Sequence, residues 1–151
     1  MNWSCHLFQQ LDANTLYAAL KLRSDVFVVE QNCVYPDLDN KDVHPQAHHL
    51  TGYLDNTLVA YARLLPPQIS YANVSFGRVV IAPQHRSKGL GRVLGEQILI
   101  DCERLWPQQD IEIGAQTYLQ RFYESLGFVS VSKPYLEDGI EHIDMRLHKN
   151  R

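Results

Sequence analysis

The sequence has few of the features that mark membrane-spanning, disulfide-linked or zinc-binding proteins. It contains no run of about 18 apolar residues, so no membrane-spanning helix is predicted. Its three cysteines are far apart and form no C-x-x-C pair, which predicts reduced thiols rather than a zinc knuckle or a redox dithiol. Lys and Arg total 14 against 17 Asp and Glu, and the formal net charge of −3 argues against a general nucleic-acid binder. We therefore expect no nucleic acid, no membrane and no metal as a partner.

The length and composition fit a single globular domain. The chain has 151 residues, within the usual ~100–200 residues of one domain. Apolar residues make up 45% and charged residues 21%, as in ordinary soluble domains. The first residues lack a basic segment followed by an apolar run, so no signal peptide is predicted and a cytoplasmic location is expected. The prediction is one domain over residues 1–151.

Hydrophobic periodicity and turn residues predict a mixed α/β domain with a strand–helix–strand unit at its centre. The first helix is expected to be capped by Asp12 or Asn14 and to end near Val28. The irregular segment 32–46 is a long loop with prolines and aspartates, and such loops are often functional. Gly127 is expected to cap the last helix, and the last two strands to form a hairpin around residues 137–139. The predicted strands are 3–9, 49–54, 57–65, 73–82, 111–115, 128–132 and 142–147, and the other predicted helices are 90–105 and 119–126.

The most informative segment joins a buried strand to an amphipathic helix through a turn that contains Gly89 and Gly91. Glycine lets backbone N–H groups approach an anion without an intervening Cβ atom. Unpaired N–H groups at a helix start, together with the helix dipole, favour a phosphate there. Three cationic side chains, Arg86, Lys88 and Arg92, surround this turn. The pattern predicts a phosphate-binding loop.

Two common nucleotide-binding loops and a calcium loop do not fit the sequence. A Walker loop has its lysine after the second glycine, whereas Lys88 precedes Gly89. A dinucleotide-binding fingerprint needs a third glycine where Leu94 stands and an acid where Gln116 stands. The D-x-D-x-x-D run at 37–42 lacks the glycine that a calcium loop requires at its sixth position.

The segment from Arg86 to Gly91, R-x-x-G-x-G after a β-strand, resembles the acyl-CoA pyrophosphate signature of the GCN5-related N-acetyltransferases, the GNAT superfamily. A second signature of that family, a short helix with the pattern F-Y-x-x-x-G-F, is similar to residues 122–128. Residues 22–35, followed by the D-x-D-x-x-D run at 37–42, resemble the ElaA group within the superfamily. The same region has a fainter likeness to acyl-homoserine-lactone synthases.

This resemblance implies a fold and a cofactor. The fold is α/β, with a mixed, mostly antiparallel sheet of about six or seven strands, splayed at its centre and flanked by about three or four helices. The cofactor is acetyl-CoA, whose thioester carbonyl is polarised by the backbone N–H of Ile81, or of Val79 if the register is shifted. The implied cofactor-binding residues are Val79, Val80, Ile81, Arg86, Ser87, Lys88, Gly89, Leu90, Gly91, Arg92 and Gln116.

The resemblance also implies direct attack of an amine on acetyl-CoA, without a covalent enzyme intermediate. Tyr123 occupies the family's general-acid position, where an O–H donor protonates the leaving thiolate. The attacking amine must be neutral, so a side chain has to accept its proton. Glu30 is the first candidate, because it ends the helix expected to roof the acceptor cleft, and Asp42 and His49 are the others. The predicted acceptor-binding residues are Phe27, Tyr35, Asp42 and His49.

The expected activity is transfer of an acetyl group to a primary amine of a small molecule or a peptide. The aspartates of residues 37–42 are expected to form an acidic lip that attracts a cationic amine. Two alternatives stay open: transfer of another acyl group, as in acyl-homoserine-lactone synthesis, and a non-catalytic acyl-CoA-binding sensor. Sheet edges in this fold often pair between copies, so a homodimer is compatible with the sequence.

Overall fold

The structure, a computed structural model, describes residues 1–149; residues 150 and 151, the end of the predicted domain 1–151, lie outside the described residues. The strands are β1 (Asn2–Leu7), β2 (His48–Leu54), β3 (Thr57–Leu65), β4 (Ser75–Ile81), β5 (Ile111–Gln116), β6 (Val129–Ser130), β7 (Tyr135–Glu137) and β8 (Ile140–Leu147). The helices are α1 (Ala13–Arg23), α2 (Leu90–Leu105) and α3 (Gln120–Ser125), and a π-helical segment, Ser24–Glu30, extends α1. Single 3-10 turns occupy Phe8–Gln10, Lys41–Val43, Pro83–His85 and Thr117–Leu119.

The strands form two antiparallel sheets that meet at one point. The first sheet has the order β1-β2-β3-β4, and the second has the order β5-β8-β6, with β7 pairing to β8. They are joined by a parallel bridge between Val74 and Ile111, next to which the Glu112 N–H donates to the Val74 carbonyl at 2.8 Å. Beyond this bridge β4 and β5 have no ladder between them, so the predicted splay at the centre of the sheet is confirmed.

The C-terminal sheet differs from the prediction in its pairing. The prediction joined 128–132 and 142–147 as a hairpin, but the hairpin partner of β8 is the three-residue strand β7. The segment after Gly127 contributes only Val129–Ser130, which pairs with β8 further along, opposite Arg146 and Met145. Strand β7 is short and follows Pro134, so it carries no alternating pattern that would reveal it.

The helix that begins after Asp12 changes its hydrogen-bond spacing halfway along. The Asp12 carboxylate accepts the Thr15 N–H at 2.7 Å, which confirms Asp12 as the cap. After α1 the hydrogen bonds reach five residues back, as from the Gln31 N–H to the Val26 carbonyl at 3.0 Å. The wider turns carry the helix to Glu30 rather than Val28. Its most buried residues are Ala19, Leu22, Arg23 and Val26, whereas Leu16, Leu20 and Phe27 are half-buried.

The core lies between the helices and the two sheets. Leu94, Ile98 and Cys102 of α2 recur at helical spacing and are almost fully buried. Burial of an aliphatic side chain such as Leu94 or Ile98 stabilises the fold by about 1.5–3 kcal/mol. Gly127 has a φ of 104° and ends the helix region after α3, as predicted.

Neither a membrane span nor a metal centre is visible in residues 1–149. No helix of this part of the chain combines the length and the apolar character needed to cross a membrane. Nor do three or more His, Cys, Asp or Glu side chains of these residues converge as metal ligands. The three cysteines are free thiols.

Candidate active site

The separation of β4 from β5 opens a cleft of about 540 Å³, named here the β4–β5 cleft. One wall comes from the segment after α1 and from β4, and the other from β5, α3 and the β7–β8 hairpin. Because the cleft replaces a missing strand pairing, its walls include backbone groups as well as side chains. The residues that line it include Phe27, Gln31, Cys33, Tyr35, Gly77, Arg78, Val79, Gly114, Gln116, Tyr123, Glu137, Asp138 and His142.

Strand β4 contains a β-bulge beside the cleft. Gly77 pairs with Arg63 and Val80 pairs with Tyr61, so Arg78 and Val79 together oppose the single residue Ala62. Arg78 has a φ of 53°, a left-handed backbone conformation that residues other than glycine rarely adopt. The bulge takes Val79 out of the regular ladder.

The backbone geometry of β4 favours Val79 over Ile81 as the carbonyl-polarising donor. The Ala82 N–H donates to the Val59 carbonyl at 2.8 Å, so by the alternation of an antiparallel ladder the Val80 N–H faces β3. The N–H groups of Val79 and Ile81 then point away from β3, toward the gap. Of these two, Val79 lines the β4–β5 cleft.

The turn between β4 and α2 presents free backbone donors. Ser87 and Gly89 have φ values of 63° and 77°, which turn the chain sharply before α2 begins. Within residues 1–149, no N–H group from Ser87 to Arg92 donates to another backbone group. A Cβ atom built on Gly89 or Gly91 would meet no atom within 4 Å, so the space around the turn is open. Unpaired donors at the start of a 16-residue helix fit a pyrophosphate.

Glu30 lies at the edge of this turn rather than in the cleft. Its carboxylate accepts hydrogen bonds from Arg86 at 2.7 and 2.6 Å, and both side chains are exposed. The Arg86 hydrogen bond lowers the pKa of Glu30 below its ordinary value. Since Glu30 does not line the cleft and is paired with a guanidinium, its position does not suit the predicted role of proton acceptor.

Tyr123 lies inside the cleft with its ring packed and its hydroxyl unpaired. The ring contacts Phe76, Phe122 and Phe128 at centroid distances of 6.0, 5.1 and 5.8 Å. Burial raises the pKa of the Tyr123 hydroxyl, which therefore stays protonated at neutral pH. None of residues 1–149 forms a hydrogen bond with that hydroxyl, so it is free to donate to a ligand. Gln116, also in the cleft, donates to Gln31 at 3.4 Å.

A buried ion-pair network lies behind the cleft wall that the segment after α1 and β4 form. Arg23 is fully buried and contacts Asp42 at 2.7 Å and Asp37 at 3.0 Å. Arg63, also buried, contacts Asp42 at 3.0 Å and Asp39 at 2.7 Å. Burial alone would raise the pKa of Asp42, but the hydrogen bonds and charges of Arg23 and Arg63 lower it.

A third arginine connects this network to the bulge in β4. Arg78 contacts Asp37 at 2.8 Å and Asp39 at 3.3 Å, and the first contact is an ion pair without hydrogen-bond alignment. Its guanidinium also donates to the Asp37 carbonyl at 2.9 Å and lies over the Tyr35 ring at 5.4 Å. The strained residue of the bulge is therefore held by the loop that follows α1.

The network changes the interpretation of two predicted acceptor-binding residues and of the acidic lip. Asp42 and His49 are 6% and 2% exposed and do not line the cleft, because Asp42 neutralises two buried arginines. His49 is held at both ring nitrogens, with Tyr61 at 2.6 Å and the Asp42 carbonyl at 2.9 Å, and burial lowers its pKa. The three aspartates of 37–42 are paired with three arginines, so they form no free acidic lip. Phe27 and Tyr35 do line the cleft, as predicted.

The sequence interpretation missed several residues of the site. Arg23 is one: it lies four residues after buried Ala19 on the inner face of the helix, a position where an arginine signals a buried ion pair. The β7–β8 hairpin brings Glu137 and His142 into the cleft, and no local pattern indicates this.

A tyrosine clamp closes the end of the cleft beyond Gly114. The hydroxyls of Tyr71 and Tyr135 both donate to the Asp144 carboxylate, at 2.9 and 2.6 Å. A Cβ atom on Gly114 would lie 2.9 Å from each hydroxyl, so only glycine fits under the clamp. The clamp ties the β3–β4 connection to the second sheet.

Comparison with known proteins shows which family the sequence matches. The model of the acetyltransferase (GNAT) domain matches residues 22–149. The protein ElaA of Escherichia coli K12 is 41% identical over 145 residues, which cover 96% of this chain and 95% of that protein. A UPF0039 protein of Synechocystis is 42% identical over 146 residues, covering 96% and 94%.

Solved structures share the fold over nearly the whole chain. An acyl-CoA N-acyltransferase from Pseudomonas aeruginosa has a TM-score of 0.92 at 44% identity, over 97% of this chain and 99% of that one. Escherichia coli ElaA has a TM-score of 0.91 at 39% identity, with the same coverage. At the level of fold alone, yncA from Salmonella typhimurium, solved with its cofactor acetyl-CoA, has a TM-score of 0.73 at 18% identity over 100% of this chain and 96% of that one.

Proposed function

The chain belongs to the GNAT family of acetyltransferases, in its ElaA-like group, and from this premise we propose that it transfers an acetyl group from acetyl-CoA to a primary amine. Membership of the family establishes acyl transfer from coenzyme A as the type of reaction. The acetyl group as donor and a primary amine of a small molecule or peptide as acceptor are the parts that we propose. The cytoplasm, where thiols stay reduced, is the compartment that we propose for it.

The observation that carries the proposal is the arrangement of three features around β4: two of them lie in the cleft that β4 borders, and the third follows the end of the strand. The free N–H groups of the Ser87–Arg92 turn lie at the end of β4, the bulged residue Val79 lines the cleft, and the unpaired Tyr123 hydroxyl lies within it. An elongated thioester that carries a pyrophosphate at one end needs these three elements in this order. A turn that served only to reverse the chain would not require the bulge or the unpaired hydroxyl.

Each element performs one task in the reaction. When bound, acetyl-CoA supplies an activated acyl group as a thioester. The N–H groups of the Ser87–Arg92 turn hold its pyrophosphate. The Val79 N–H stabilises the negative charge that develops on the carbonyl oxygen, a contact whose loss costs on the order of 3 kcal/mol. Tyr123 donates its proton to the leaving thiolate.

Isothermal titration of acetyl-CoA tests the binding part of the proposal, with Gly91→Asp as the variant and Gly91→Ala as its matched control. Both side chains enter open space in the first turn of α2. An acidic residue at this position interacts favourably with the helix dipole, so the fold is retained, while its negative charge repels the pyrophosphate. We expect Gly91→Asp to weaken binding at least tenfold, about 1.4 kcal/mol, and Gly91→Ala to leave it within threefold.

The catalytic part is tested by following thiol release while primary amines are supplied as acceptors. Amine-dependent release of coenzyme A is the expected result. Absence of acetyl-CoA binding to the folded protein, or equal binding to all three Gly91 forms, would contradict the placement of the cofactor on the turn.

A further inference from the structure

One histidine in the cleft takes no part in cofactor binding or in protonation of the leaving thiolate. Of the chain's seven histidines, all within residues 1–149, only His142 lines the β4–β5 cleft. It lies on β8 opposite Gln116 of β5 and Tyr135 of β7, so two neighbouring strands hold it. Only 11% of its side chain is exposed. Its backbone position is therefore fixed at the end of β5, on the cleft wall that faces the segment after α1.

The hydrogen bond of His142 selects its tautomer. Its Nδ1 atom lies 2.8 Å from the Ile140 carbonyl. A carbonyl only accepts hydrogen bonds, so in the neutral ring the proton must be on Nδ1. The lone pair is then on Nε2, which makes this atom a base rather than a donor. His49 differs, because protein groups occupy both of its ring nitrogens.

The surroundings of Nε2 leave this atom without a hydrogen-bond partner among residues 1–149. The nearest carboxylate oxygen, Glu137 Oε2, is 3.7 Å away, close enough to stabilise an imidazolium but not to occupy Nε2 with a hydrogen bond. The Tyr135 ring stacks on the imidazole with 6.1 Å between the ring centroids. The Tyr135 hydroxyl donates to Asp144, which lies two residues after His142 on β8. Burial and the hydrogen bond to Asp144 raise the pKa of Tyr135 to about 12, so this neighbour stays protonated across the working pH range.

The other candidate bases lack this combination. Glu30 is paired with Arg86 outside the cleft, and Asp42 is paired with two buried arginines behind it. His142 shares the cleft with Tyr123, so one residue can take a proton from the attacking amine while the other gives a proton to the leaving thiolate.

We propose that His142 Nε2 is the atom that accepts the proton of the acceptor amine, with Glu137 stabilising the resulting imidazolium; this rests on the proposed function. The amine nitrogen attacks the thioester carbonyl and forms the C–N bond, and its N–H proton moves to His142 Nε2. The C–S bond breaks, and the thiolate takes the proton of Tyr123. The products are the amide and coenzyme A. The proton on His142 returns to Tyr123 through solvent, so the step that starts from the neutral amine consumes and releases no net proton.

The first test compares His142→Gln with His48→Gln. His48 is a matched control, because its Nδ1 also bonds a carbonyl two residues earlier, at 3.0 Å, while its ring packs on Trp106 away from the cleft. With n-butylamine as the probe, we expect His142→Gln to lower kcat/KM for the amine about 100-fold, the lower end of the usual contribution of a general base. Once the rates are corrected for the neutral fraction of the amine, the acid limb of the pH–rate profile should disappear. The affinity for acetyl-CoA should stay within twofold, and His48→Gln should match the unaltered protein in all three measurements.

Two further readouts do not depend on His142→Gln folding correctly. Glu137→Gln alters a side chain that is 61% exposed, and it should move the acid limb to lower pH, because the imidazolium loses its counter-charge. In the unaltered ¹⁵N-labelled protein at pH 8, the signal assigned to His142 should be that of an Nδ1–H tautomer.

The outcomes separate this inference from the proposed function. An Nε2–H tautomer at His142, or amine-dependent thiol release that His142→Gln leaves within threefold, would overturn the assignment of His142 alone. Absence of acetyl-CoA binding or of amine-dependent thiol release in the unaltered protein would overturn the proposed function and this assignment together.

Discussion

The buried arginine–aspartate network makes a sharp prediction about stability. Asp42 contacts Arg23 at 2.7 Å and Arg63 at 3.0 Å, and the two arginines are 0% and 3% exposed. Asp42→Asn keeps the size of the side chain but removes its charge. After this change, the buried guanidinium groups of Arg23 and Arg63 have lost the negative charge that both of them contact.

The magnitude follows from the cost of an uncompensated buried charge. Removal of one partner from a buried ion pair usually destabilises a protein by about 3–5 kcal/mol. At about 2–4 °C per kcal/mol for a domain of this size, the melting temperature should fall by about 6–20 °C. The exposed pair of Lys21 and Asp25 offers a matched control, since water screens its charges. Asp25→Asn should leave the melting temperature unchanged within the reproducibility of the measurement.

The pH dependence has a definite sign. The pKa of Asp42 in the folded protein lies below its ordinary value of about 3.9, so its ionised form stabilises the fold at neutral pH. That stabilisation is lost as the pH falls through the lowered pKa. In thermal unfolding from pH 7 down to pH 3, the melting temperatures of the unaltered protein and of Asp42→Asn should therefore begin to converge below about pH 4. A loss of less than 1 kcal/mol for Asp42→Asn at pH 7, or an equal loss for Asp25→Asn, would refute the reasoning.

Three further predictions concern the cleft. Tyr123→Phe should lower kcat for thiol release by about 100-fold or more and leave the affinity for acetyl-CoA unchanged. If kcat is unchanged as well, the hydroxyl has no catalytic role and the sensor alternative is favoured. A steep loss of affinity for acetyl-CoA would exclude the role of Tyr123 as the acid. Glu30→Gln should leave kcat within threefold and tighten acetyl-CoA binding in titrations, because Arg86 is released toward the turn; a 100-fold loss of kcat would restore Glu30 as the proton acceptor. In urea unfolding, Gly114→Ala should destabilise the fold by about 1–3 kcal/mol, whereas Gly91→Ala should not destabilise it. If Gly114→Ala is as stable as the unaltered protein, the hydroxyls of the tyrosine clamp move aside without cost.

The parts of the fold that depend on local chemistry were predictable from the sequence. The Asp55-Asn56 turn has both residues at positive φ, as a tight hairpin requires, and the two strands beside it were expected at nearly their observed bounds. Helix α2 has strong periodicity between a glycine turn and Pro107, and its predicted bounds match. These elements carry their signals within about ten to twenty residues, which is the range that periodicity can use.

The rest depends on contacts between distant residues. Arg23 finds its partners 14 and 19 residues later, and Arg78 finds Asp37 41 residues earlier. Because each of these charges alone resembles an ordinary surface residue, only their assembly shows that they are buried. His142 enters the cleft because β8 pairs with both β5 and β7, and no pattern in the sequence reports that pairing.

The single bridge between the two sheets has a consequence for local unfolding. All ladders of β1 to β4 lie within residues 2–81, and all ladders of β5 to β8 lie within residues 111–147, so each sheet is a continuous stretch of chain. Such stretches commonly open as cooperative units, and the Val74–Ile111 bridge contributes little to hold them together. A ligand that spans the gap stabilises both units at once, by about 2.7 kcal/mol at a hundredfold excess over its Kd. We therefore expect amide hydrogens along the inner edges of β4 and β5 to exchange faster than those inside the two sheets, and a ligand that spans the gap to slow their exchange.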